Sequence, residues 1–194
     1  MKGKWGNKGG KDMPELLIHV AVPLFVLILA GVEPKKALPL ALFGAIPDAD
    51  VLFHIHRSMS HSALIILAPC IPAIIFTHFK AKRYFNDAVI ATLVLLSHPF
   101  MDMFTGFTPI LWPAFNKSVF ITAEMTANMN NVSDLHLFFN LKLAPVVFYP
   151  TADVDAPIFT SEGVAVCAIL LVSSLFKICN DRSRWRNRRF ILIK

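Results

Sequence analysis

Charge is scarce in this chain. Asp, Glu, Lys and Arg make up 16% of its 194 residues, whereas a soluble domain carries about 25%. That shortage argues against an ordinary water-facing surface, and with 55% hydrophobic residues and a mean hydropathy of +0.57 the profile is that of a membrane protein. Cysteine is nearly absent as well. Cys70, Cys167 and Cys179 lie singly in apolar runs without C-x-x-C spacing, so they read as packing residues with no redox or metal role. No segment repeats or falls into low complexity, which leaves one compact membrane domain over residues 1–194 as the simplest organisation. Neither H-E-x-x-H nor a serine motif of the intramembrane protease kind occurs, and that class drops out.

What the chain does have is apolar length. Five apolar segments run over residues 14–31, 37–47, 62–79, 88–104 and 163–178. Three are long enough to cross about 30 Å of hydrocarbon as helices, one is borderline and the second is short. Pro23, Pro39, Pro69, Pro72 and Pro99 interrupt them, which membrane helices tolerate because neighbours satisfy the freed backbone groups. The basic, then apolar, N-terminus has the look of a signal peptide, but it lacks a clean small-x-small site and His19 breaks its core. It is expected to be retained. The expectation is an all-α membrane protein of about five transmembrane helices with a small mixed extramembrane cap. Residues 14–104 would hold the functional helices, 105–162 the cap, 163–181 the last span and 182–194 a basic tail. Within the cap, alternating pieces around 118–122 and 135–143 read as short strands joined by the turn-rich "NMNNVSD".

Positive charge sets the expected orientation. With five crossings, Lys35 and Lys36, then Lys80, Lys82 and Arg83, then the arginine-rich tail share one side, and basic loops mark the cytoplasm. Lys2, Lys4, Lys8 and Lys11 argue the other way. The tail suits an anionic lipid surface, and no nucleic-acid module accompanies it, so no nucleic-acid partner is expected. The chain is expected in the cell or inner membrane with this tail cytoplasmic.

The remaining polar groups fall in few places. His19 opens the first segment, Asp48 and Asp50 end the second in "GAIPDAD", and His54, His56, Arg57 and His61 crowd into "HIHRSMSHS" before the third. His98 and Asp102 stand i, i+4 near the end of the fourth. Alternating helix direction brings all of these to one membrane face, the non-cytoplasmic one under the expected orientation. His98 and Asp102 leave one side of a helix about 6 Å apart at Cβ, a spacing suited to one cation. An unpaired aspartate at that depth costs on the order of 3 kcal/mol and normally marks a site. One of Asp48 and Asp50 would ligate while the other orients a histidine or a water. Arg57 offers a fork for a phosphate or carboxylate. Taken alone, each group has a bland reading: a helix-locking pair, a helix stop, an interfacial loop, a core histidine. His78 beside Lys80 reads as interfacial, and His136 in the cap is a weak candidate. Nitrogen and oxygen donors without cysteine point to a catalytic style of zinc site that keeps a position open for water.

An early histidine, "GAIPDAD", "HRSMSHS", "SHPFMDMFTG" and "LWP" together resemble the LexA-regulated, membrane-bound metal-dependent hydrolase family, over about residues 16–113. That family is similar to zinc-dependent phospholipase C enzymes. The resemblance implies Asp50 or Asp48, His61, His98 and Asp102 as central metal ligands, with His19 on a second metal bridged by Asp102. His56 and Arg57 match the first two positions of the family's H-R-G-x-T-H-S. Ser58 stands in place of its glycine and Ser60 in place of its threonine, and the lost glycine alters the turn that aims His61 and Arg57.

The expected activity is therefore metal-dependent hydrolysis of a phosphoester, of a phospholipid or similar amphiphile, with one or two divalent ions, zinc foremost. The metal set is His19, Asp50, His61, His98 and Asp102. Arg57 would hold the phosphate, and Asp48 or His56 would orient or deprotonate water. Membrane lipids are the environment and the expected substrate. Two rivals belong to other classes: a membrane protein that binds or transports metal without hydrolysis, and a scaffold whose polar groups only lock helices.

Overall fold

A computed structural model describes residues 16–53, 58–128, 131–148 and 161–191. Helix α1 (Leu16–Leu29) runs into Gly31, whose φ of 82° is open to glycine at little cost and turns the chain back, Val32 N donating to Leu27 O at 2.9 Å. Helix α2 (Pro34–Ala41) starts on a proline at its first turn and tightens after eight residues into 3-10 turns over Leu42–Ala45 and Pro47–Phe53. A further 3-10 turn, Met59–His61, leads into α3 (Ala63–Lys80). Another, Lys82–Tyr84, leads into α4 (Phe85–Asp102), and α5 (Ser161–Ile191) closes the described chain.

Five crossings are not what these lengths give. Among the described residues, the helices long and apolar enough to span a membrane are α3 and the Gly163–Asp181 part of α5. The described part of helix α1 has 14 residues, about 21 Å at 1.5 Å per residue, which is shorter than the hydrocarbon thickness. The second segment is a short helix followed by 3-10 turns. Helix α4 is 18 residues long, but Asn86, Asp87, Ser97, His98 and Asp102 dilute its hydropathy. Helix α5 continues through residues 182–191, most of the expected basic tail.

Two antiparallel runs nonetheless bring the polar residues to one end. Helix α1 leaves that end and α2 with its 3-10 turns returns to it; α3 leaves and α4 returns. A core of Leu27, Ile28, Ala37, Leu40, Ala41 and Val94, with Ile178 of α5 packed on it, ties the first run to α4 and α5. At the opposite end Lys36 Nζ meets Asp87 Oδ1 at 3.6 Å, so the turn after α1 and the turn before α4 are neighbours there. Helix hydroxyls bond their own backbone, Thr92 to Ala88 O and Ser174 to Leu170 O, which satisfies these buried polar atoms within their own helices. The outer faces of α3 and α5 carry wholly apolar, open side chains such as Phe76 and Phe176.

Residues 105–145 form the mixed part. Strands β1 (Lys117–Asn128) and β2 (Asn131–Pro145) pair antiparallel as a hairpin, longer than the short strands expected. Its root is bonded to the helical end: Ile121 N donates to Met103 O at 2.7 Å, and Thr108 and Val119 exchange both backbone bonds.

Candidate metal centre

The turn that ends α2 does more than stop a helix. Gly44 O accepts from His98 Nδ1 at 2.6 Å, which fixes the tautomer and leaves Nε2 as a bare donor. The absent side chain at Gly44 matters, because a Cβ there would overlap the backbone carbonyl of His19. One residue therefore sets the approach of α1 and the aim of a histidine on α4.

His61 is held in a similar way from behind. Its Nδ1 lies 3.3 Å from Asp50 Oδ2 and 3.1 Å from Ser60 Oγ. Asp50 Oδ2 also accepts from Ser58 N and from Ser60 Oγ, both at 2.9 Å. A carboxylate behind an imidazole orients it and raises its basicity. The serines that stand in for glycine and threonine in the resembled motif are thus the groups that fix Asp50.

With both Nδ1 atoms engaged, the two Nε2 atoms of His61 and His98 face each other at 3.1 Å. Two imidazole lone pairs aimed at one another repel unless a proton or a metal ion lies between them. The carboxylates gather round this point: Asp102 Oδ2 is 3.1 Å from His61 Nε2 and 3.3 Å from His98 Nε2, while Asp48 Oδ1 is 3.6 and 3.3 Å from the same atoms. The other oxygen of Asp102, Oδ1, lies 3.3 Å from His19 Nε2, and the His19 ring stacks on that of His98 with centroids 3.8 Å apart. His19, His61, His98 and Asp102 are at most 2% exposed, and Asp48 is the open member at 11%.

Two overlapping donor groups result: His19, Asp48 and His98, and His61, His98 and Asp102, the ligand atoms of each within 4.8 Å of one another. Both oxygens of Asp48 and of Asp102 and both nitrogens of His19 are buried without a hydrogen-bond partner among the described residues. Buried polar atoms are almost always bonded. A cluster of orphans of this donor chemistry fits a divalent cation.

Electrostatics in the 3-10 turns follows the same geometry. Burial pushes the Asp48 carboxyl up, but His61 and His98 beside it outweigh that and hold it well below its usual value. Asp50 is likewise lowered, burial being overcome by His61 and the Ser58 amide. Burial pushes His61 down, yet Asp102, Asp48 and Asp50 raise it to about 10.

Of the residues singled out from sequence, His19, Asp48, Asp50, His61, His98 and Asp102 come together. Asp48 sits inside the donor groups, while Asp50 stands behind His61; from sequence alone Asp50 was the first choice of ligand. His54, His56 and Arg57 lie outside the described residues. His136 is exposed on β2 beside Phe138, and His78 packs by Phe79 and Phe85 at the far end of α3. Sequence reasoning did not find Gly44, since a backbone carbonyl has no signature beyond the glycine itself. The "LWP" stretch is anchored near the site by Ser62 Oγ, which donates to Trp112 O, and by Ala63 N, which donates to Ile110 O at 2.9 Å.

A family model described as the YdjM inner membrane protein matches residues 13–179. The chain belongs to the YdjM inner membrane protein family. Membership and the two apolar helices agree that it is a membrane protein. The stretch shared with the YdjM family takes in all six convergent residues as well as the hairpin, and so extends well past the 16–113 region in which the sequence motifs fall. No curated protein and no solved structure matches the chain.

Proposed function

We propose that this YdjM-family chain is a membrane-bound metal-dependent hydrolase that cleaves a phosphoester of a phospholipid or similar amphiphile. The observation that carries the reading is the pair of Nε2 atoms at 3.1 Å, ringed by carboxylate oxygens that have no hydrogen-bond partner among the described residues. His61, His98, Asp48 and Asp102 would hold one divalent ion, zinc foremost, and Asp102 Oδ1 with His19 would serve a second. When bound, such an ion supplies Lewis acidity and makes water a competent nucleophile near neutral pH.

The chain's own groups divide the remaining work. Gly44 O and Asp50, backed by Ser58 and Ser60, aim the two imidazoles. Asp48 is the least buried of the cluster and is the carboxylate to orient a water or take its proton. Arg57, four residues before His61, is the cation to hold a phosphate, with His56 next to it as a second acid or base. A cluster at one end of a lipid-facing helix bundle is reached through headgroups, which favours an amphiphile over a soluble ester. The basic residues at the opposite end, Lys35, Lys36, Lys80, Lys82 and Arg83, support an orientation with that end cytoplasmic and the cluster on the other side.

Elemental analysis of the purified chain tests the centre, with phosphate-ester release from phospholipid vesicles measured on the same samples. The wild type should carry stoichiometric metal and turn over, and His98→Ala and Asp102→Ala should lose both. Equal metal in all three would overturn the centre. Bound metal with ion flux across vesicles and no turnover of any phosphoester would replace hydrolysis with transport.

A further inference from the structure

The hairpin is sided. Directly opposite residues in an antiparallel pair share a face, and the register gives Val119 with Leu143, Ile121 with Leu141, and Ala123 with Phe139 on one of them. That face is apolar in every one of these positions. Phe139 and Leu141 on it are 67% and 60% exposed. The alternate face pairs Thr122 with Asn140 and Glu124 with Phe138, and there Lys142 lies over the Phe120 ring, 5.7 Å from its centroid. Among the described residues nothing packs on the outer part of the apolar face.

We infer that the β1–β2 hairpin lies in the headgroup boundary of the leaflet at the metal-site end, its Ile121–Leu141–Phe139 face turned to the acyl chains and its Asn140–Lys142 face to water. Three observations converge on this occupant. The root of the hairpin is bonded through Ile121 N to Met103 O, one residue past the end of α4, and the segment leading into it is bonded to the start of α3 by Ala63 N to Ile110 O, so it leaves the bundle at the end where α3 begins and α4 stops. Beyond Ile121 the edges of the two-stranded ribbon are open among the described residues, and unbonded backbone groups are not tolerated in hydrocarbon. The apolar face, in turn, is unfavourable in water, and a lone hairpin is at best marginally stable there. Only the boundary between the two media satisfies both. At about 3.4 Å per residue its twelve-residue first strand reaches some 40 Å across the leaflet. In this placement the hairpin anchors the metal-site end of the bundle at the headgroups. The inference is independent of what the cluster hydrolyses.

Nitroxide labels at residues 139, 140, 141 and 142, one at a time, in the full chain with Cys70, Cys167 and Cys179 replaced by alanine and reconstituted in phospholipid nanodiscs, test it. Collision with oxygen, which partitions into lipid, should dominate at 139 and 141, and collision with a water-soluble nickel complex at 140 and 142, so that the ratio of the two reverses from each residue to the next. Tryptophan at 139 and at 140 in the cysteine-bearing chain gives a second reading: brominated lipid should quench the added emission at 139 and leave that at 140. Nickel access at all four positions would overturn the inference in favour of a hairpin standing free in water. Shielding of 139 and 141 from both reagents would overturn it in favour of a protein cover, whether a second copy or another part of this chain.

Discussion

Gly44→Ala is the sharpest perturbation the structure offers, because it adds one methyl group and touches no donor atom. The new Cβ would overlap the carbonyl of His19, a residue that is 2% exposed and so closely packed. Relief requires α1 or the Leu42–Ala45 turn to retreat by on the order of 1 Å, and overpacking of this kind costs about 1–3 kcal/mol in stability. The same retreat lengthens the 2.6 Å bond from His98 Nδ1 to Gly44 O and frees the imidazole to rotate. Loss of such an orienting partner typically weakens metal affinity by about 10–100-fold. Zinc titration by calorimetry of wild type and G44A in the same detergent, with thermal unfolding of the metal-free samples, separates the two effects. Affinity should fall by that factor and the metal-free protein should melt earlier. Wild-type affinity and wild-type melting in G44A would refute the claim that this glycine is the common support of α1 and His98.

Ser60→Ala removes a bond to Asp50 Oδ2 and a contact to His61 Nδ1; zinc affinity should drop by about tenfold, and Ser60→Thr, which restores the hydroxyl, should recover it in the same titration. Asp50→Asn should weaken binding less than Asp102→Asn, because Asp50 stands behind His61 whereas both oxygens of Asp102 face imidazoles; comparable losses in competition against a zinc chelator would contradict that division. In the metal-free chain His61 is raised to about 10. Its protonation therefore adds stability in full below the ordinary value of about 6.5, lost as pH rises through about 10. Metal needs the bare imidazole, so binding at pH 7 should expel that proton and apparent affinity should climb by up to about tenfold per pH unit between those limits. Calorimetry in buffers of differing ionisation enthalpy counts the protons released, and a count of zero at pH 7 would show the imidazoles already neutral there and refute this pH dependence.

Much of the candidate site was legible before any coordinates. His98 and Asp102 at i, i+4 must share a helix side, and an aspartate in so apolar a run needs a partner. The convergence of His19, Asp48 and His61 on them follows from an expectation of five crossings, of which two, among the described residues, qualify as spans by length and composition. It holds because what matters is the number of reversals, and a half-length return through α2 reverses the chain as surely as a full span. Helix lengths were harder to read. Where α1 stops depends on Gly31 adopting a positive φ, and the tightening of α2 into 3-10 turns depends on how closely Gly44 approaches His19.

Composition determined the medium, a chain so poor in charge and so rich in apolar segments being suited to lipid, and the i, i+4 spacing of His98 and Asp102 determined that these two could share a cation. Tertiary structure decided the division of labour between Asp48 and Asp50. Two residues apart, they differ only in which neighbour each meets: Asp50 meets the Ser58 amide and the Ser60 hydroxyl, and Asp48 meets the Nε2 atoms of His61 and His98. Those neighbours come from separate elements, Ser58, Ser60 and His61 from the turn before α3 and His98 from α4, which tertiary packing brings together and local propensity cannot.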